Sequence, residues 1–218
     1  MKKTFLALTC LAACATVQAA DVYGGIGFPG LTLGYAQAIS PSLGLRGEYS
    51  GGLDVSKNGK RDGVDFEGKL KAQSVAGLVD WFPMDGGFRA TGGITLNDTK
   101  FSLNSTAQNG TATINGKTVN LAGKFFNVDI KFPDVTPYLG IGYGFKPDPR
   151  KTGWGFYTDV GFMVGKFTAT TTQNVVGTPT LTGTILQSDV DAQTARLRDD
   201  LGKLSVLPKF SIGVSYRF

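Results

Sequence analysis

From Lys209 to Phe218 the chain alternates without a break: Phe210, Ile212, Val214, Tyr216 and Phe218 share one parity, and Lys209, Ser211, Gly213, Ser215 and Arg217 the other. A β-strand sends successive side chains to opposite faces, so this stretch predicts a strand with one apolar and one polar face. The pattern recurs upstream and gives candidate strands at 21–28, 31–39, 43–55, 66–82, 88–98, 135–146, 154–167 and 206–218. Pro29-Gly30 is the only break within 21–39, so that region reads as two strands or as one long bulged strand. One segment departs from the pattern. Asp189 to Leu204 sets Val190, Leu197, Leu201 and Leu204 at helical spacing, with Arg196, Arg198, Asp199 and Asp200 between them. It predicts a short amphipathic helix before the last strand, packed across a mouth of the sheet or plugging it.

The connections alternate in length. Short ones fall at 40–42, 83–87 and 147–153, and long ones at 56–65, 99–134 and 168–205. Antiparallel strands joined in this way would gather the short turns at one end of a sheet and the long loops at the other. The two parities differ in chemistry. One carries Leu43, Leu45, Tyr49, Leu139, Ile141, Tyr143, Phe145, Trp154, Phe156 and Val160. The other carries Arg46, Glu48, Asp54, Asp80, Arg89, Asp159, Lys209 and Arg217 among small residues. Glycine is over-represented at 31 residues, and small residues beside charges suit a narrow polar interior. The expected arrangement is therefore an apolar exterior and a charged interior network of Arg46, Glu48, Asp80, Arg89, Asp159, Lys209 and Arg217. Trp81, Phe82, Phe145, Trp154 and Phe156 cluster near the short turns and are expected to form an aromatic girdle. Glu67, Lys69 and Lys71 share parity with Val75 and Trp81, so either they rise above the apolar band or a bulge near Gln73 switches the faces.

The amino terminus adds a compartment. Lys2 and Lys3 precede a short apolar run from Phe5 to Val17, and Val17-Gln18-Ala19 offers small residues for cleavage after Ala19. Residues 1–19 are thus expected to be an export signal and 20–218 a single β domain. Leu11-Ala12-Ala13-Cys14 supports an alternative, cleavage before a lipidated Cys14. Ordinary cleavage removes both cysteines and leaves 20 basic against 17 acidic residues, net +3, with no histidine. That modest charge is spread along the chain and gives no reason to expect nucleic acid. No stretch after residue 19 is long and apolar enough to span a bilayer as a helix.

Candidate chemistry is sparse. Gly25-Ile26-Gly27-Phe28-Pro29-Gly30 spells a dinucleotide fingerprint, but Leu31-Thr32-Leu33 continues as strand where a helix must begin. Without histidine or cysteine, the common metal sites and activated nucleophiles have no ligands or bases. The acidic residues 189, 191, 199 and 200 lack calcium-loop spacing. The expectation is no catalytic residue, no metal and no cofactor. Lumenal carboxylates are read as partners of the basic residues, because buried charges must be paired.

Taken together, the alternating strands and the aromatic terminus resemble the small bacterial outer-membrane β-barrels of the OmpA, OmpX and OmpW type. The resemblance implies a closed, antiparallel, eight-stranded transmembrane barrel with long extracellular loops, located in the outer membrane of a Gram-negative cell. It implies that Tyr216 and Phe218 form the signal read by the barrel-assembly machinery. It also implies contact with outer-membrane lipid and lipopolysaccharide, and with host, phage or cell-surface partners through the loops. Outer-membrane enzymes of similar build, the lipid A deacylases and omptin-type proteases, rely on histidine, which is missing here. A structural or surface-interaction role without catalysis is expected. The alternative is a narrow channel for small or hydrophobic solutes, with Gly140, Gly142, Gly161, Gly165 and Gly213 leaving voids in the lumen.

Overall fold

The computed structural model describes residues 20–61, 64–84, 86–105, 111–146 and 152–218. The signal segment 1–19, with both cleavage alternatives, lies outside the described residues. The strands are β1 (Ala20–Phe28), β2 (Gly30–Ser40), β3 (Leu43–Arg61), β4 (Val64–Trp81), β5 (Phe88–Ser105), β6 (Thr111–Ile114), β7 (Lys117–Asn120), β8 (Phe126–Lys131), β9 (Val135–Tyr143), β10 (Gly153–Val164), β11 (Thr168–Gln173), β12 (Pro179–Thr180) and β13 (Gly183–Thr184). A helix, α1 (Gln187–Gly202), precedes β14 (Val206–Arg217).

Eight strands pair in a ring, each with two antiparallel neighbours, in the order β5-β4-β3-β2-β1-β14-β10-β9 and back to β5. First and last strands meet, Asp21 opposite Arg217 and Phe28 opposite Phe210. Residues 21–39 resolve into two strands, with Gly30 at φ 123° just past Pro29. Glycine tolerates that backbone where a side chain would not. Around the ring one parity is exposed and apolar, with Ile26, Leu33, Leu45, Val79, Ile94, Leu139, Val160 and Ile212 supplying one residue per strand. The opposite parity is buried. An antiparallel sheet with one polar face would normally turn that face to water, and here it is inverted.

The strand ends that flank the expected short connections lie with Phe218 at one end of the ring, and those that lead into the expected long connections lie at the other, while residues 147–151 of the third short connection lie outside the described residues. There β3, β4 and β5 run on beyond the ring, and β8 and β11 add to their edge. The β6–β7 hairpin and α1 stand against this wall over a small core of Ile114, Val119, Leu121, Val175, Ile185 and Val190. The helix begins and ends two residues before the predicted 189–204. Of the apolar positions expected to pack, Val190 is buried, while Leu204 lies beyond the helix and is exposed. Asp189 accepts a hydrogen bond from the Leu186 N–H at 2.9 Å, which satisfies an orphan amide at the helix start.

A bulge between Ser50 and Leu53, with Gly52 at φ 89°, decides two expectations. It lies in β3, so Asp54 is turned outward and exposed rather than into the interior. The extra residue shifts parity by one beyond it. In contrast, β4 pairs with β5 without interruption from Phe66 to Trp81. Lys69 and Lys71 therefore keep the outward face and stand above the apolar band, where Lys69 pairs with Glu67 at 3.1 Å and Lys71 with Asp98 at 2.9 Å.

Candidate functional site

The inward face of the ring brings six of the seven charged candidates together. Arg46 on β3 is the hub. Its Nε lies 2.6 Å from Asp80, and its Nη1 lies 2.9 Å from Asp159 and 3.4 Å from Glu48. Arg89 on β5 reaches Asp159 at 2.6 Å and Asp80 at 3.4 Å, and Lys209 on β14 reaches Glu48 at 2.5 Å. Three cations thus face three carboxylates, and all six side chains are at most 4% exposed. Hydroxyls add to the bonding of two of the carboxylates: Tyr23 donates to Glu48 at 2.8 Å, Ser50 to Glu48 at 3.1 Å and Thr91 to Asp80 at 2.6 Å. In an eight-membered ring β3 and β10 are diametrically opposite. The Arg46–Asp159 pair therefore ties opposite walls, which is possible only in a ring narrow enough for side chains to fill.

Arg217, the seventh candidate, is not part of this cluster. It sits at the last rung of β14, directly across from Asp21, and pairs with it at 2.8 Å. Register gives it a partner at the ring's edge, several residues below the hub.

On the turn side of the network lies an aromatic layer. Tyr23, Phe145 and Tyr157 pack with ring centroids 4.6–5.1 Å apart, joined by Phe82. The guanidinium of Arg89 lies 4.7 Å from the Phe145 centroid and that of Arg46 5.4 Å, so the ring faces carry cation–π contacts. Phe82 and Phe145 therefore correct the expected girdle, since they are 5% and 8% exposed and point inward. Phe82 follows outward-facing Trp81, and adjacent residues in an extended chain cannot share a face. Phe145 lies past the end of β9, where Gly144 at φ 108° and Phe145 itself at φ 58° turn the chain out of alternation. A bulky residue rarely takes that conformation, and its ring is held here by two arginines and two tyrosines. Trp81, Trp154 and Phe156 do face outward near the turns, with Tyr216 edge-on to Trp154 at 5.3 Å. Tyr216 and Phe218 are exposed on the same face.

On the loop side the interior is filled by Leu78, Phe132, Tyr138 and Met163. Thr136 hydrogen-bonds both Thr95 and Asn97 at 2.7 Å. The glycines expected to leave voids do not. A Cβ on Gly140 or Gly161 would strike the Tyr138 hydroxyl, one on Gly213 would strike Tyr157 and the backbone of β1, and one on Gly142 would strike Arg89 and Asp159. A Cβ on Gly165 would meet Pro133 and Thr136. The glycines are troughs in which the tyrosine rings and charged side chains lie.

Sequence reasoning did not place Tyr23, Tyr138 or Asp21 in the interior. Parity could have done so: Asp21 and Tyr23 flank outward Val22, and Tyr138 precedes outward Leu139. Among the described residues no group of three His, Cys, Asp or Glu side chains is arranged to hold a metal ion. Each of the three carboxylates of the cluster pairs with at least one cation from another strand, which ties the walls together across the ring.

No family model and no curated protein matches the chain. Among solved structures it resembles the crystal structure of Acinetobacter baumannii CarO2, with TM-score 0.63 and 19% identity over 92% of this chain and 98% of that one. It also resembles that of Acinetobacter baumannii CarO, with TM-score 0.57 and 20% identity over 93% and 97%. At such identities the likeness speaks for the fold: an antiparallel sheet whose strands run in a ring of eight, carrying one helix.

Proposed function

We propose that this chain is an integral outer-membrane protein, a closed eight-stranded β-barrel with its apolar parity in lipid. In this reading it works through its outer surface rather than by catalysis. One observation carries the reading. Exposed large apolar residues occur on all eight strands of the ring, while five of those strands, β3, β4, β5, β10 and β14, bury a charge-balanced ion network on the other parity. A soluble monomer seldom exposes an apolar patch beyond a few hundred Å². Lipid accounts for such a belt, and a β-sheet can enter lipid only if its edges are paired all round, as ring pairing allows. The aromatic residues Trp81, Trp154, Tyr143 and Tyr216 lie toward the turn end of the belt, where an interface would put them.

The interior favours a silent barrel over the channel alternative. Aromatic, ionic and apolar layers follow one another across it, and the glycines are filled. The cap built from α1, the β6–β7 hairpin and the β3–β4–β5–β8–β11 wall is the surface offered to partners outside the cell. Planar-bilayer recording of the refolded full chain tests this. The expected result is no unitary conductance from the native chain, with full insertion shown by protease protection of the belt strands. Reproducible channels from the native chain would overturn the surface role in favour of transport. Folding to the same compact state in water without detergent would overturn the membrane placement itself.

A further inference from the structure

Above the ring, the inward face of the tall wall carries apolar residues that the cap covers only at one end. Past the bulge, register sets Val55 of β3 opposite Leu70 of β4, Leu70 opposite Phe101 of β5, Phe101 opposite Ile130 of β8, and Ile130 opposite Ala169 of β11. On the next rung of that face Lys57 opposes Gly68, Gly68 opposes Leu103, and Leu103 opposes Val128. Directly opposed residues share a face, and this is the face that buries Ala72 and Ser74 lower on β4. The helix α1 covers the β11 end. Arg198 Nε donates to the Ala169 carbonyl at 2.9 Å, and the hydroxyls of Thr171 and Thr194 share a hydrogen bond at 2.8 Å. Ala169 and Val128 are buried there, whereas Val55 is 46% exposed and Phe101 37%. The lipid belt does not account for this exposure, because an inward face meets no lipid at any height.

The uncovered part is a cleft of about 460 Å³, within the roughly 300–1,000 Å³ of small-molecule sites. Val55, Leu70, Phe101 and Leu103 give it apolar sides, and Gly68 leaves room for the Phe101 ring beside it. Below it Ala72, Thr99 and Phe132 are buried, so the cleft ends above the ring and does not lead into it. Among the described residues that line it, Lys57 alone is charged. Lysines 69, 71 and 100, on the opposite face of the same sheet, are each paired with an acid, and among the described residues Lys57 is not. An apolar recess with one unpaired cation at its rim suits an apolar body that carries a single negative charge.

We propose that this cleft is a dead-end binding site for a small anionic amphiphile, an aliphatic chain or ring ending in a carboxylate, with Lys57 holding the charged end. The site rests on the reading of the wall as standing outside the lipid. It adds to that reading a soluble ligand taken from the aqueous side, and binding there calls for no conductance.

The test uses the refolded full chain in phosphatidylcholine nanodiscs, with calorimetric titration of octanoate and of octyltrimethylammonium against chain-loaded and empty discs. The expected result is saturable binding of one octanoate per chain and none of the cation. Lys57→Gln should weaken it about two- to fivefold, the worth of one exposed ion pair. Gly68→Leu should abolish it by filling the cleft, and the first carbon added at Gly68 meets its neighbours only at 3.7 Å or beyond, so the variant should still assemble. Lys69→Gln, on the opposite face, should bind as the native chain does. Absence of saturable binding by the native chain overturns the proposal, as does unchanged binding by Gly68→Leu. Equal affinity for the cation, or unchanged affinity in Lys57→Gln, overturns the anionic assignment. Heat-modifiable gel mobility reports assembly of each protein separately, so a native chain that is folded and inserted yet binds no octanoate sinks this inference and leaves the membrane reading standing.

Discussion

Replacing Arg46 with methionine probes the interior most sharply. The guanidinium touches three carboxylates from β3, β4 and β10, at 3.4, 2.6 and 2.9 Å. Its loss leaves two cations for three buried anions. Removing one partner from a buried ion pair costs about 3–5 kcal/mol, because the remaining charge stays desolvated. Here each carboxylate keeps another cation: Asp80 and Asp159 keep Arg89, and Glu48 keeps Lys209. The cost should therefore sit near the low end, about 3 kcal/mol. Methionine fills much of the vacated volume, so the cavity contribution is small. The double variant Arg46→Met/Asp159→Asn restores balance, with Arg89 facing Asp80 and Lys209 facing Glu48. It should recover about 1–2 kcal/mol of the loss, a coupling expected between groups in direct contact. Urea unfolding from lipid vesicles, followed by the emission of Trp81 and Trp154, measures both variants. An Arg46→Met cost below about 1 kcal/mol would mean the network is wet and behaves like surface pairs, which refutes the reasoning.

Other outcomes follow from the same geometry. Gly161→Ala drives a methyl into Tyr138 and the Leu139 carbonyl, and should cost about 1–3 kcal/mol, whereas Gly47→Ala, with nothing within 4 Å, should be near neutral. Urea midpoints that rank the two equally would count against the tyrosine troughs. Asp189 is held down to about 2 by Lys117, the Leu186 amide and Asn115. Its folded value lies below the roughly 3.9 of an unfolded aspartate, so its contribution to cap docking is complete above about pH 4 and is lost as pH falls toward 2. Helical circular dichroism of the full chain in detergent should fall in that window, and Asp189→Asn should abolish the transition. The same transition in both proteins would contradict the assignment. Phe145→Ala should loosen the turn-side layer yet stay silent in planar bilayers, because the ion network still blocks the interior. Conductance from this single change would show that the aromatic layer alone closes the ring.

All eight ring strands were legible from period two, because burial on one face fixes register as well as periodicity. The charged residues were legible for the same reason, as a parity that offers Arg46, Glu48, Asp80, Arg89, Asp159 and Lys209 has only one economical destination. Two of the failures lie where alternation stops: Phe145 follows a left-handed glycine, and Asp54 follows a bulge. Phe82 instead keeps the inward parity of Leu78 and Asp80, so it and its neighbour Trp81 could not both belong to an outward girdle. Arg217 kept its parity but met Asp21 at its own rung, a pairing that needs register rather than period. The glycines misled in another way, since a missing side chain on one strand says nothing about which neighbouring ring occupies the space. The added strands β8 and β11 and the cap core arose in threonine- and asparagine-rich loops, where both faces are polar enough to hide their period.

Site-directed spin labelling tests the central claim most directly. Residues 20–218 contain no cysteine, so single cysteines can be placed at Val160, Ile212, Ser211 and Thr95 in the refolded chain in lipid vesicles. The account predicts high oxygen accessibility at 160 and 212 with mobile, lipid-facing spectra, and immobilised, oxygen-shielded labels at 95 and 211. Uniform accessibility at 211 and 212, or shielding at 160 and 212 with exposure at 95, would contradict it.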